Sequence, residues 1–449
     1  MSMLGAIAFG VLCGCGGNMT IANPTPTPPV GAQSEWTWVA GSNLTDQLGT
    51  YGTLGTPAPG NTPGGRENPV SWTDKAGNLW LFGGTERPST TQDNFHNDLW
   101  KFSGGQWTWM GGSNGFNQAG IYGTLGTPAP GNIPGARLEA VSWTDASGNF
   151  WLFGGLGIDS NGLSEFLNDL WKFDGSQWTW MGGSNVGIQH QPGVYGVKGT
   201  PDPANVPGAR SLATAWTDAS GNFWMFGGTG WDSTGALGDL NELWEFSGGQ
   251  WTWVSGSNLI NQPGTYGVKG TPDPANIPGA RFGSMSWADT AGNFWIFGGS
   301  IGTNSFLPMN DLWKFSGGQW TWITGPNVPS QPGVYGTLGV PAAVNTPGSR
   351  VQGNTWTDAS GNLWLFGGGP NDLWKFSAGE WTWMGGPNSP TRGIYGTLGT
   401  PAPPNIPGER SGSVSWKDAS GNVWIFGGLG EGSTGPPSGF LNDLWKLQP

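Results

Sequence analysis

The chain has 449 residues, among them 84 Gly, 36 Pro, 31 Trp and 21 Phe, and carries a formal net charge of −12. That charge excludes nucleic acid and an anionic membrane surface as main partners, because both require a basic face. The only cysteines are Cys13 and Cys15, so beyond residue 15 neither a disulfide framework nor a cysteine metal site is available.

In chain order, residues 4–12 (LGAIAFGVL) form an apolar run too short to span a bilayer and suited to the hydrophobic region of an export leader. The following Leu12-Cys13-Gly14-Cys15 resembles the bacterial lipobox. That resemblance implies a leader over residues 1–15 and lipidation at Cys15, although no Lys or Arg precedes the apolar run. Residues 16–33, rich in Pro and Thr, read as an extended tether. The expectation is export, with a lipid anchor at the bacterial outer membrane or cell surface, or secretion without one. The membrane is met only through that lipid.

From residue 34 onward one pattern recurs six times. In the copy beginning at Arg137, LEAVSWTD reads as a first strand and DASGN as a tight turn. FWLFGG reads as a second strand ending in a glycine pair, and a variable loop follows. NDLWKFD is a third strand and WTWM a fourth, with the alternation of half-buried strands. A long lead-in segment, GGSN to PGAR, joins each unit to the next. Glycine and proline thus act as punctuation between aromatic runs, each Trp of which can bury roughly 150–250 Å².

An arginine ahead of the first strand, a glycine pair after the second and tryptophan in the fourth resemble the kelch repeat, over residues 34–449. The resemblance implies an all-β chain, a six-bladed kelch-like β-propeller with four antiparallel strands per blade, of the galactose-oxidase central-domain kind. The blades open near Arg66, Arg137, Arg210, Arg281, Arg350 and Arg410, at intervals longer than the kelch period of roughly 50 residues. Residues 34–39 read as a lone fourth strand, and residues 441–447 as a lone third. Their union completes the last blade, closes the ring and protects both edges. The alternative is five full blades and a frayed sixth.

Each unit places one Trp in each of its first three strands and two in the fourth, in the same register. Repetition of this kind points to packing between blades rather than to a ligand. Asp74, Asp145, Asp218, Asp289, Asp358 and Asp418 read as caps of their own turns, since each turn offers too few carboxylates for a calcium cage. No metal or cofactor is expected. The six arginines stand near the mouth of the central channel, either as a cationic ring for an acidic group or as donors to loop carbonyls. Trp231 alone lies outside the register. With Asp232 beside it and His190, Lys198, Asp202 and Arg210 in the same unit, it marks a candidate ligand site on the third blade, where a sugar could stack.

Galactose oxidase chemistry, which the family resemblance brings to mind, needs a cysteine cross-linked to a tyrosine. No cysteine lies in the repeats, and all six Tyr sit in the same YG motif. The expectation is a monomeric binding module, not an enzyme, that takes a glycan or a protein partner at the cell surface through its loop face. The alternatives are a structural component of the envelope and, more weakly, a carbohydrate-active enzyme.

Overall fold

A computed structural model describes residues 35–86, 94–187, 191–302, 305–434 and 438–448. The leader, the tether, Cys15 and His190 lie outside the described residues. Residues 33–449 form a compact unit, and the described residues hold strands and turns but no helix.

The strands form where β-branched and aromatic residues alternate with small polar ones. In Val141–Thr144 the burial alternates residue by residue. That strand pairs with Phe150–Ile158, which pairs with Ser164–Phe173, which pairs with Trp178–Gly182, all antiparallel. Four further sheets, within residues 70–111, 214–255, 285–324 and 354–385, repeat this order. In the sixth, Val414–Lys417, Val423–Gly430 and Gly439–Gln448 are followed by Glu35–Ala40 from the other end of the chain. The register there sets Trp36 against Leu447 and Trp38 against Trp445.

Neighbouring sheets meet through their aromatic faces. Trp72 packs on Phe150 at 4.4 Å, Trp143 on Phe223 at 3.6 Å and Trp216 on Phe294 at 4.7 Å between ring centroids. The first strands lie side by side, 70–73 against 141–144 and so on through 354–357 and 414–417, and 414–417 lies against 70–73. The glycine pair ending each second strand is part of the same seam. Gly154 and Gly155 adopt φ of +67° and +96°, and a Cβ on Gly154 would stand 2.9 Å from the Arg210 carbonyl oxygen of the next unit. The left-handed conformation and the close approach both call for glycine.

At the loop end of the first strands, one residue per unit joins a cyclic chain of peptide hydrogen bonds. Asn68, Glu139, Leu212, Gly283, Gln352 and Gly412 each lie two places after the arginine, with φ between +52° and +63°. Each N–H donates to the carbonyl of the preceding unit: Glu139 to Asn68 at 3.0 Å, Leu212 to Glu139 at 3.1 Å, Gly283 to Leu212 at 2.9 Å. Gln352 donates to Gly283 at 2.9 Å, Gly412 to Gln352 at 3.2 Å and Asn68 to Gly412 at 2.7 Å, which returns to the start. Gln352 Nε2 also donates to Asn68 Oδ1 at 2.8 Å, spanning the sixth unit. Left-handed backbone at four non-glycine residues costs on the order of 1 kcal/mol each and is offset by these bonds.

The lead-in segments cover the outer edges of the sheets. Gly126 N–H donates to the Trp180 carbonyl at 2.8 Å, and Asn132 Nδ2 to that of Trp178 at 3.1 Å. The segment before Arg410 treats the N-terminal strand in the same way: Gly399 donates to Trp38 at 2.7 Å and Asn405 to Trp36 at 3.1 Å. Each edge strand is thereby shielded from pairing with a second chain.

Candidate functional site

The six recurring arginines do not form a cationic ring open to an acidic ligand. All are buried, at no more than 2% exposure. Arg137 is representative: Nη1 and Nη2 donate to Asp169 Oδ1 and Oδ2 at 2.6 and 2.7 Å, Nη1 also to the Gly154 carbonyl at 2.9 Å, and Nε to that of Gly135 at 3.0 Å. Arg66, Arg281, Arg350 and Arg410 make the same fork with Asp98, Asp311, Asp372 and Asp443. Arg210 meets Glu242 through a single bond of 2.6 Å. The carboxylate that ends this fork also accepts the Tyr122 hydroxyl and the Trp171 indole N–H, each at 2.7 Å. Burial first, and the adjoining Asp169 second, push the Tyr122 phenol well above its ordinary range. The recurring Arg, Asp, Tyr and Trp are thus consumed by one buried hub per unit. The turn aspartates are consumed likewise: Asp74 accepts from Ala76 and Asn78 backbone N–H groups and from the Trp80 indole.

The residues of the expected third-unit site that the structure describes are each engaged elsewhere; His190 lies outside the described residues. Trp231 is 7% exposed and stands in a strand against Leu237, so its ring offers no platform for a sugar. It occupies the place that Ile158 fills in the second unit, where the apolar side chain plugs the base of the loop. Asp232 is buried and caps its own loop, accepting from Thr234, Ala236 and Ile260 N–H groups. Lys198 lies 4.2 Å from the Trp253 ring centroid and donates to the Gly256 carbonyl at 2.7 Å, and Asp202 caps a turn at Ala204. Arg210 belongs to its hub. The other histidine, His96, is buried with Nε2 3.0 Å from Glu86 Oε2. No group of three His, Cys, Asp or Glu among the described residues could hold a metal ion.

The departure from repetition that leaves side chains accessible lies between the fifth and sixth units. The fifth unit has no variable loop: the chain passes from Phe366 to Leu373 through Gly-Gly-Gly-Pro-Asn-Asp. In the second unit the residue before the arginine, Ala136, is buried beneath Phe95 of the first unit's loop and beside Ile158. In the sixth unit the corresponding pair is Glu409 and Glu431, both partly exposed. Glu431 N–H donates to the Glu409 carbonyl at 3.0 Å, and its carboxylate lies 3.6 Å from Arg392 Nε. Burial, and then the neighbouring Glu431 charge, raise the Glu409 carboxyl to about 7. The sequence carried this signal in PGER, where other units read PGAR, PGGR or PGSR, and in the short last interval.

Replacing Glu431 with Gln removes one of the two causes. Glu409 is expected to titrate near 7 in the native chain and nearer the ordinary carboxyl range in the variant, followed by carbon-detected NMR of labelled glutamate. Because its folded value is raised, Glu409 adds stability below its unfolded value. That contribution fades as pH climbs through about 7. An unchanged titration in the variant would show that burial alone holds the proton.

No family model and no curated protein matches the chain. Solved structures do. A structure of YjhT matches with a TM-score of 0.50 at 13% identity, over 86% of this chain and 99% of that one. A fungal alcohol oxidase of the AA5 family, in complex with copper, matches with a TM-score of 0.46 at 14% identity, over 89% of this chain and 77% of that one. A protein of unknown function from Dyadobacter fermentans matches with a TM-score of 0.44 at 8% identity, over 92% and 98% of the two chains. The expectation that the chain is not an enzyme is corrected here, since a copper alcohol oxidase stands among the matches and the fold gives no ground for excluding catalysis. The likeness to YjhT is one of fold alone, an all-β, propeller-like architecture.

Proposed function

We propose that the chain is a six-bladed propeller, closed by Glu35–Ala40, that is exported, held at the cell surface by a lipid on Cys15, and binds a glycan through its loop face. The cyclic peptide hydrogen bonds and the shared sixth sheet support the closure. The single observation that carries the binding site is the replacement of a buried apolar pair by Glu409 and Glu431 where the fifth loop is missing. Paired carboxylates accept hydrogen bonds from vicinal hydroxyls, and Arg392 supplies a donor beside them. The test is a glycan array probed with the full chain, then with Glu409→Gln and Glu431→Gln. At least one glycan is expected to bind and to lose about tenfold in affinity in each variant, the magnitude of one charge-assisted hydrogen bond. Binding unchanged in both variants would move the site elsewhere, and no binding to any glycan would favour a protein partner.

A second reading is favoured by the raised Glu409. A carboxyl raised to about 7 beside a second carboxyl is the arrangement a carbohydrate-active enzyme uses for acid and base. Slow hydrolysis of a bound glycan, abolished by Glu409→Gln, is the result that would select it.

A further inference from the structure

Five of the six units hold an ammonium group of their own against an aromatic face. The third-strand lysine lies over the second-strand Trp, with Nζ to ring centroid of 5.4 Å for Lys101 on Trp80 and 5.8 Å for Lys172 on Trp151. The distances are 5.2 Å for Lys314 on Trp295 and 5.7 Å both for Lys375 on Trp364 and for Lys446 on Trp424. The two residues are cross-strand partners, as in Trp80 opposite Lys101. In the third unit the motif reads NELWEF instead of NDLWKF, and the residue opposite Trp224 is Glu245.

Trp224, the cross-strand partner of Glu245, lines a groove. At the turn end of the third and fourth units a cavity of about 350 Å³ is lined by Trp224, Asp218 and Val254 on one side and by Phe294, Phe315 and Asn293 on the other. Trp224 is partly exposed there, and its indole N–H donates to Asp218 Oδ2 at 3.1 Å. Burial, then the Asp218 charge, raise the Glu245 carboxyl above its ordinary value, and since Asp218 is taken up by its own turn, Glu245 is the carboxylate beside the Trp224 face that an incoming cation would pair. An ammonium meets that need: it pairs with Glu245 and lies on the Trp224 ring. The other five units supply that group internally.

We propose that the groove between the third and fourth units binds a primary alkylammonium group, presented by a lysine side chain of a partner or by a free amine. It lies at the turn end, is independent of the loop-face reading above, and suits a chain of net charge −12.

The test uses the full chain and ligand-observed NMR titration with butylammonium chloride, with sodium chloride at equal ionic strength as reference. Acetyl-lysine methylamide (free ε-amine) and 1,5-diaminopentane distinguish the sources: the tighter of the two names the origin of the ammonium. Glu245→Lys installs the internal ammonium of the other units and is expected to fold normally while weakening butylammonium binding at least tenfold. Glu245→Gln keeps the size, removes the charge and is expected to weaken it about fivefold, the roughly 1 kcal/mol at the upper end for a partly exposed ion pair. No butylammonium binding above the sodium reference, or binding retained in both variants, overturns the proposal.

Discussion

Asp169→Ala is expected to destabilise the chain by about 3–5 kcal/mol, the cost of leaving one member of a buried ion pair without the other. Asp169 closes the Arg137 fork and accepts both the Tyr122 hydroxyl and the Trp171 indole. Its loss strands a guanidinium that is 1% exposed, with two further donors around it. Asp202→Ala, in a solvent-exposed turn, removes a carboxylate of the same charge and should change stability by no more than about 0.5 kcal/mol. Guanidinium chloride unfolding followed by tryptophan fluorescence compares the two, and equal midpoints would falsify the hub as a structural element. The hub also fixes the acid limit. Burial, the largest influence, opposes ionisation of Asp98, but the Arg66 charge together with the hydrogen bonds from Arg66 and Trp100 and the nearby His96 outweighs it and holds the carboxyl at about 2. A lowered folded value means stability present above the unfolded value near 3.8 and lost as pH falls toward about 2. Acid unfolding is therefore expected to begin below about pH 4.

The strands, the tight turns and the meeting of the two chain ends were legible because each follows from local pattern. Trp alternation sets a strand's faces, and DASGN can only turn. The fate of the arginines was not legible. An arginine and a carboxylate such as Arg137 and Asp169 recur in every unit, 22 to 33 residues apart, yet only folding shows that the lead-in segment and the third strand meet. Trp231 misled for a related reason. A tryptophan out of register looks exposed, but burial depends on the loop above it, and there it stands where another unit uses Ile158. Glu409 was visible as a letter but acquires meaning only beside the missing fifth loop. NELWEF was equally visible, and its consequence emerges once Lys and Trp are seen to be cross-strand partners.

Removal of residues 1–40 is expected to abolish cooperative folding, whereas removal of residues 1–32 should leave the melting temperature unchanged. Glu35–Ala40 is the outer strand of a sheet whose other four strands come from residues 410–448. Without it Gly439–Gln448 has a bare edge, and Phe366, Trp445 and Tyr395 lose the Trp36 and Trp38 rings packed on them at 5.1, 6.4 and 5.2 Å. Truncating one buried Trp costs about 3–5 kcal/mol. Losing the buried Trp36 and the half-buried Trp38, together with the ladder, approaches the roughly 5–15 kcal/mol that holds an ordinary domain folded. A nonspecific loss of solubility would give the same first result, so the decisive arm adds the strand back. A peptide with the sequence EWTWVA is expected to restore the melting transition of the shortened chain by strand addition, since the register is set by Trp36 opposite Leu447 and Trp38 opposite Trp445. A peptide with both tryptophans changed to alanine should not. If neither peptide acts, or if the shortened chain melts like the full one, the two ends do not close the fold and the sixth sheet stands without its N-terminal strand.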